Sequence, residues 1–245
     1  MDLNCRRPSR TTSLDGVWDF RWLGDGVDLE ERAVASGEPL RAAAGIDSLR
    51  GSGPIAVPGC FDAMPTLAGK RGTGIYQRRF EQTPDSDGYL VFHGLGIWAA
   101  VYIDGAIACV HRKPYSSFAV TVPRSVARVR ELEVVVDNRL DIARSPLQEN
   151  YFDFYAYGGL FRSVEHVEVP AVHFTSVVVS ETDLAASTVR IEVTLNHDGP
   201  CMIEFAVDDG AWTSPDVPDV DERAAGDEPA AGTGPADATL PVRSF

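Results

Sequence analysis

Between Tyr151 and Tyr157 the sequence sets five aromatic rings around one acid: Tyr151, Phe152, Phe154, Tyr155 and Tyr157 about Asp153, with Gly158 and Gly159 following. Residues of these types do one of two things. They can wall a sugar, with ring faces against pyranose C–H surfaces and the carboxylate accepting from hydroxyls, because binding sites combine apolar walls with a few placed polar groups. They can instead plug a core while the acid caps a turn or accepts backbone N–H groups, since an unpaired buried carboxylate is costly. The rings fall on both parities of the segment, so a single buried strand face does not account for them. On the residues alone both readings stay open. The glycine pair marks a bend suited to unbranched backbone, and Arg162 beside it serves equally as an ion-pair partner or a ligand.

Other catalytic signatures are missing from these 245 residues. There is no nucleophile elbow, phosphate-binding loop, zinc-protease helix or dinucleotide fingerprint. Gly72-Thr73-Gly74 precedes a strand pattern and so offers no helix terminus to a phosphate. The five histidines (His93, His111, His166, His173 and His197) are scattered and read as strand or turn residues. Cys5, Cys60, Cys109 and Cys201 stand apart with no ligand spacing, which argues against zinc and for reduced thiols. No metal and no cofactor is expected.

The elements that must position Asp153 read as short strands. LDGVWDFRWL (14–23), IAVP (55–58), IYQRRF (75–80), YLVFHG (89–94), WAAVYIDG (98–105), AIACVHR (106–112) and ELEVVVDN (131–138) are β-branched or aromatic runs closed by turn residues. Asp104-Gly105 between two of them predicts a type I′ hairpin. No stretch sustains helical periodicity, so an antiparallel β-sandwich is expected in place of a βαβ fold. Pro170 marks a boundary. Beyond it, HFTSVVVS (173–180), STVRIEVTLNH (187–197) and CMIEFAVDDG (201–210) read as three more strands, and ATLPVRSF (238–245) as the start of another. The segment between is rich in Pro, Gly, Ala and acid and reads as flexible.

Composition sets outer limits. A hydrophobic share of 44% and mean hydropathy of −0.10 describe an ordinary globular protein. The net charge of −14 argues against nucleic acid and anionic membrane as partners. Half of that charge, −7, comes from nine acids and two arginines between Asp208 and Phe245. The first residues hold arginines but no apolar stretch of a signal peptide, and with the single cysteines this points to the cytoplasm.

Seven segments, in order, resemble glycoside hydrolase family 2: SLDGVWDF (13–20), IAVPGCFD (55–62), GTGIYQRRF (72–80), the WAAVYIDG hairpin, HRKPYSSF (111–118), LEVVVDNR (132–139) and FDFYAYGGLFRSV (152–164). Each is weak alone; their common order and separations make the signal specific. The VPGCFD and FDFYAYGGLFR segments look closer to the β-glucuronidase-like branch than to the β-galactosidases. The resemblance implies a jelly-roll sugar-binding domain over residues 1–169 and a truncated immunoglobulin-like β-sandwich over 170–245.

That resemblance also implies a function for the parent protein: retaining hydrolysis of terminal β-linked sugars, β-glucuronides or β-galactosides, by two glutamates on a (β/α)₈ barrel. No Asn-Glu dipeptide, with which the family's acid/base motif begins, occurs here. No catalytic residue is therefore assigned to this chain, which is expected to shape the pocket and support the barrel. By position Asp153 matches an aspartate that contacts the terminal sugar, and Tyr157 and Asp62 are expected at the rim. The partners implied are a carbohydrate substrate and a barrel of the same or another chain, with a homo-oligomer also open. A stand-alone carbohydrate-binding module and an interaction subunit are the competing readings.

Overall fold

The computed structural model describes residues 10–25, 52–140, 157–183, 188–197 and 236–241. Asp153, the strand expected at 201–210 and the acidic segment after it lie outside the described residues. Two compact units divide the chain, Met1–Pro170 and Ala171–Phe245.

Among the described residues of the first unit ten strands form two antiparallel sheets. They are β1 (Arg10–Ser13), β2 (Gly16–Gly24), β3 (Gly53–Val57), β4 (Thr73–Glu81), β5 (Asp87–Phe92), β6 (Trp98–Ile103), β7 (Ala106–His111), β8 (Phe118–Val122), β9 (Val129–Asp137) and β10 (Val164–Val169). The four-stranded sheet runs β1-β10-β5-β8 and the six-stranded sheet β3-β2-β4-β9-β6-β7. The all-β antiparallel sandwich expected from the strand patterns is present. Asp104 (φ 51°) and Gly105 (φ 80°) make the expected hairpin turn.

Alternation explains most of the core. From one sheet Leu90, Phe92, Val120 and Val122 point inward; from the other Trp18, Phe20, Tyr76, Ala99, Val101, Leu132, Val134 and Val136 meet them. The Trp18 indole also donates to the Leu14 carbonyl at 2.7 Å, which satisfies its buried N–H. Each large side chain so buried contributes about 1.5–3 kcal/mol. β6 and β9 depart from alternation. Trp98, Ala100 and Tyr102 on the other face of β6 form a second buried cluster with Val135 of β9 and Ile75 of β4, so β6 is apolar on both sides while the outer face of β9 mixes Val135 with Glu133 and Asp137.

Three strands were not anticipated from the sequence: β1, β8 and β10. All lie in the four-stranded sheet, where Val120, Val122 and Val164 face the core and polar neighbours face out. The patterns are short and half polar, hence quiet in composition. The second unit shows β11 (Phe174–Asp183), β12 (Thr188–Leu195) and β13 (Ala236–Pro241) as one antiparallel sheet in that order. Its start is fastened by Asn196, whose amide donates to Ala171 O at 2.8 Å and accepts from His173 N at 2.9 Å.

Candidate functional site

The site is built at the end of the sandwich where β5, β7 and β9 finish and β4, β6 and β8 begin. The β3–β4 connection opens with a short 3₁₀ turn, Phe61–Ala63, and lies against the segment that returns into β10. Gly59 N donates to Leu160 O at 2.7 Å and Phe61 N to Gly158 O at 3.0 Å. The β5–β6 loop joins through Gly96 and Gly159, which exchange backbone hydrogen bonds at 3.2 Å. Residues 157–160 are thus laced on both sides by main chain.

Asp62 and Asn138 tie these loops together. Asp62, 7% exposed, accepts the Gly158 N–H with both oxygens, at 2.9 and 3.2 Å. The Asn138 amide, fully buried, donates to Asp62 Oδ2 at 3.4 Å and to Lys70 O at 3.1 Å, while its oxygen accepts Gly72 N–H at 2.9 Å. Gly158 is required by space: a Cβ there would lie 2.2 Å from Phe61 Cζ and 2.6 Å from Asn138 Cβ. Gly159 is required by conformation as well, with φ +130° and Gly59 O 2.7 Å from the place of a Cβ. The glycine pair serves close approach as much as the bend.

Next to this knot, Asp137 is buried under Arg139, whose Nε sits 3.0 and 2.9 Å from its two oxygens. Thr73 Oγ1 donates to Asp137 at 3.1 Å, and Arg139 Nη1 reaches Asp25 O at 2.6 Å. Burial, then the Asp62 carboxylate, pushes the Cys60 thiol up, which disfavours the thiolate. Among the described residues no three His, Cys, Asp or Glu side chains converge on a metal-sized site.

Asp62 and Tyr157 are brought to the same segment, and they face differently. Tyr157 is 52% exposed, whereas Asp62 points inward and is occupied by Gly158 and Asn138. Asp153 falls outside the described residues. Sequence reasoning missed Asn138, reading it only as the end of a strand. Its one signal was the Asp-Asn pair directly after a wholly buried valine run. It also missed Tyr115, on the β7–β8 loop, which is 37% exposed, has φ 65° and lies against the Phe161 ring at 5.6 Å.

The separate cavity of about 460 Å³ between β7 and β8 is lined by Ile103, Ile107, Cys109, Val120, Thr121 and Pro123, together with three alanines. None of the residues of the Asp62 knot lines it.

No family model matches the chain, and no curated protein matches its sequence. Solved structures do. The β-glucuronidase of Ruminococcus gnavus matches over 100% of this chain and 41% of its own, at 19% identity and TM-score 0.64. The GH2 β-galacturonidase of Eisenbergiella tayi bound to galacturonate matches over 80% and 31%, at 21% identity and TM-score 0.57. A β-glucuronidase from an uncultured Clostridium matches over 81% and 35%, at 19% identity and TM-score 0.57. The chain has a GH2-like fold. It spans between 31% and 41% of the length of these three enzymes.

Proposed function

We propose that the chain is the N-terminal, non-catalytic portion of a family 2 glycoside hydrolase that acts with retention on terminal β-linked uronides or galactosides. Residues 1–169 serve as its sugar-binding jelly roll and 170–245 as part of an immunoglobulin-like domain. Bond cleavage belongs to a (β/α)₈ barrel, on the same or another chain, with a carbohydrate as substrate. The cytoplasm remains the proposed location; no described helix is long and apolar enough to cross a membrane.

One observation carries this reading: the segment that follows Asp153 in sequence, residues 157–160, is fixed from three directions onto the sandwich. Preorganised support of this kind suits a substrate-touching loop, because a small misplacement of a contact group costs rate. Asp153 accepts from a sugar hydroxyl in the proposed complex, and Tyr157 forms part of the wall. Asp62 acts there as a positioning residue, through Gly158.

The test is an Asp153→Asn change in the chain joined to its barrel. A lost hydrogen bond to a charged group is worth roughly 1.5–3 kcal/mol, so kcat/KM should fall about tenfold to a hundredfold. Unchanged kinetics in a folded variant would remove Asp153 from the site, and the absence of any barrel-encoding frame beside this one would remove the hydrolase.

A further inference from the structure

An open sheet ends in strands whose outer N–H and C=O groups face no neighbour, and such edges template further pairing unless something blunts them. The first unit has four described edges: β1 and β8 of the four-stranded sheet, β3 and β7 of the six-stranded sheet. Three are guarded. β1 is four residues long and begins on Arg10. β3 holds Pro54, which brings no N–H to a ladder. β7 bulges, since Ile107 and Cys109 oppose the adjacent residues Tyr102 and Val101 and leave Ala108 extra. β8 has none of these devices. It runs from Phe118 to Val122 in unbroken register with β5, and its sequence FAVTV contains no charge, proline or glycine. Arg124, just past its end, is turned toward β5, where the two Asp87 oxygens hold it at 2.6 Å each.

Beside β8 lies the cavity shared with β7, lined by Ile103, Ile107, Cys109 and Val120 from the apolar side. Ala119 and Thr121, small and exposed, also line it, so another backbone can approach this edge closely. The strand is, in addition, complementary to its own copy. Residues directly opposite in an antiparallel pair share a sheet face. A two-fold axis at Val120 therefore sets Phe118 against the partner's Val122, Ala119 against the partner's Thr121, and Val120 against the partner's Val120. This register uses the whole strand. It places small residues against small ones outside and apolar against apolar inside, and it opposes no like charges.

We propose that the edge of β8 docks a second copy of this chain. Two β8 strands pair antiparallel across a two-fold axis, join the two four-stranded sheets into one, and cover the groove beside each strand. The interface uses no residue of the Asp62 knot and does not rest on the hydrolase reading, so either can fail alone. The net charge of −14 on each copy opposes association, and β8 brings no charge to offset it. Salt that screens this repulsion therefore strengthens the dimer.

The experiment is sedimentation equilibrium of the 245-residue chain over a concentration series, at low and high salt. A mass rising toward twice the 26.5 kDa of one chain, more readily at high salt, is expected. Ala119→Lys with Thr121→Lys sets lysine against lysine at both outer pairs and should weaken association about tenfold, with the melting curve kept. Thr11→Lys, an equally exposed change on the β1 edge, should leave association as it was. Ala119→Cys with Thr121→Cys should cross-link on mild oxidation, position 119 of one copy to 121 of the other by peptide mapping, because opposite Cα atoms about 4.5–5.5 Å apart suit a disulfide. A monomer at every concentration would overturn the proposal and leave this edge to some other strand. So would a dimer that the β8 lysines leave intact, one that Thr11→Lys breaks equally, a cross-link between other positions, or association weakened by salt.

Discussion

At the end of the sandwich away from the site, Arg124 meets Asp87 at 2.6 Å, Arg128 meets Glu81 at 3.0 Å and Arg130 meets Asp104 at 2.6 Å. At the site end the buried acid bonds to an amide and a backbone N–H, while Lys70 and Lys113 are exposed. Each end has one buried hub. Arg130 gathers Gln82 Oε1 at 2.6 Å, Pro123 O at 2.8 Å and Asp104; Asn138 gathers Asp62, Lys70 O and Gly72 N. The difference is one of chemistry: among the described residues the far end is closed mainly by ion pairs, the site end mainly by amide and backbone hydrogen bonds beside the Arg139–Asp137 pair.

Removing the hubs breaks both ends and gives the largest effect. Asn138→Leu strands the Gly72 N–H and a share of Asp62, and Arg130→Met strands the inner partners of the guanidinium. Each should destabilise by about 2–3 kcal/mol in urea unfolding, since a buried group left unsatisfied costs about 1–3 kcal/mol. A loss below ~1 kcal/mol at Asn138 would show that the loops are held by main chain alone.

Protonation gives a smaller, graded effect. Burial lowers the pKa of His166, which lies against Phe80, and of His111, where the hydrogen bond to the Lys113 carbonyl opposes the lowering in part. Both folded values lie under the unfolded value near 6.5, so the unfolded chain binds more protons in acid. This part of the stability is complete above about pH 6.5 and fades as pH falls toward the lower folded values. The urea midpoint should drop from pH 7.5 to 5.5, and His166→Gln should flatten the drop. An unchanged slope would place the acid sensitivity elsewhere.

The smallest effect sharpens the comparison most. Tyr115→Gly removes a left-handed penalty of roughly 1–2 kcal/mol and a ring contact of about 0.5–1.5 kcal/mol. The unfolding free energy should therefore stay within about 1 kcal/mol of the parent in urea titration. A large destabilisation would show that the ring contact outweighs the backbone penalty.

Much of the sandwich was legible because its strongest strands advertise themselves. β6 is buried on both faces and reads as a continuous apolar run, β9 carries a buried Val134–Val136 run, and the Asp104-Gly105 turn is fixed by its own backbone chemistry. β1, β8 and β10 were not legible, since a short strand with one polar face resembles a loop. The site was half legible. Glycines at 158 and 159 announced a special backbone, but their reason is a close approach to Phe61, Asn138 and Gly59 from distant parts of the chain. The role of Asn138 depends on partners at Asp62, Lys70 and Gly72, more than sixty residues away in sequence. Only folding brings such partners together.

Asn138 and Gly158, twenty positions apart in sequence, share one carboxylate, that of Asp62, and so are held at nearly the same point. A connection whose two ends are already stapled can change in length at little thermodynamic cost, about 0.6 kcal/mol for each doubling. Evolution can therefore rewrite the intervening residues, Asp153 among them, while the sandwich keeps its sequence. The same staple makes residues 139–157 a graftable cassette, exchangeable between relatives at two fixed seams.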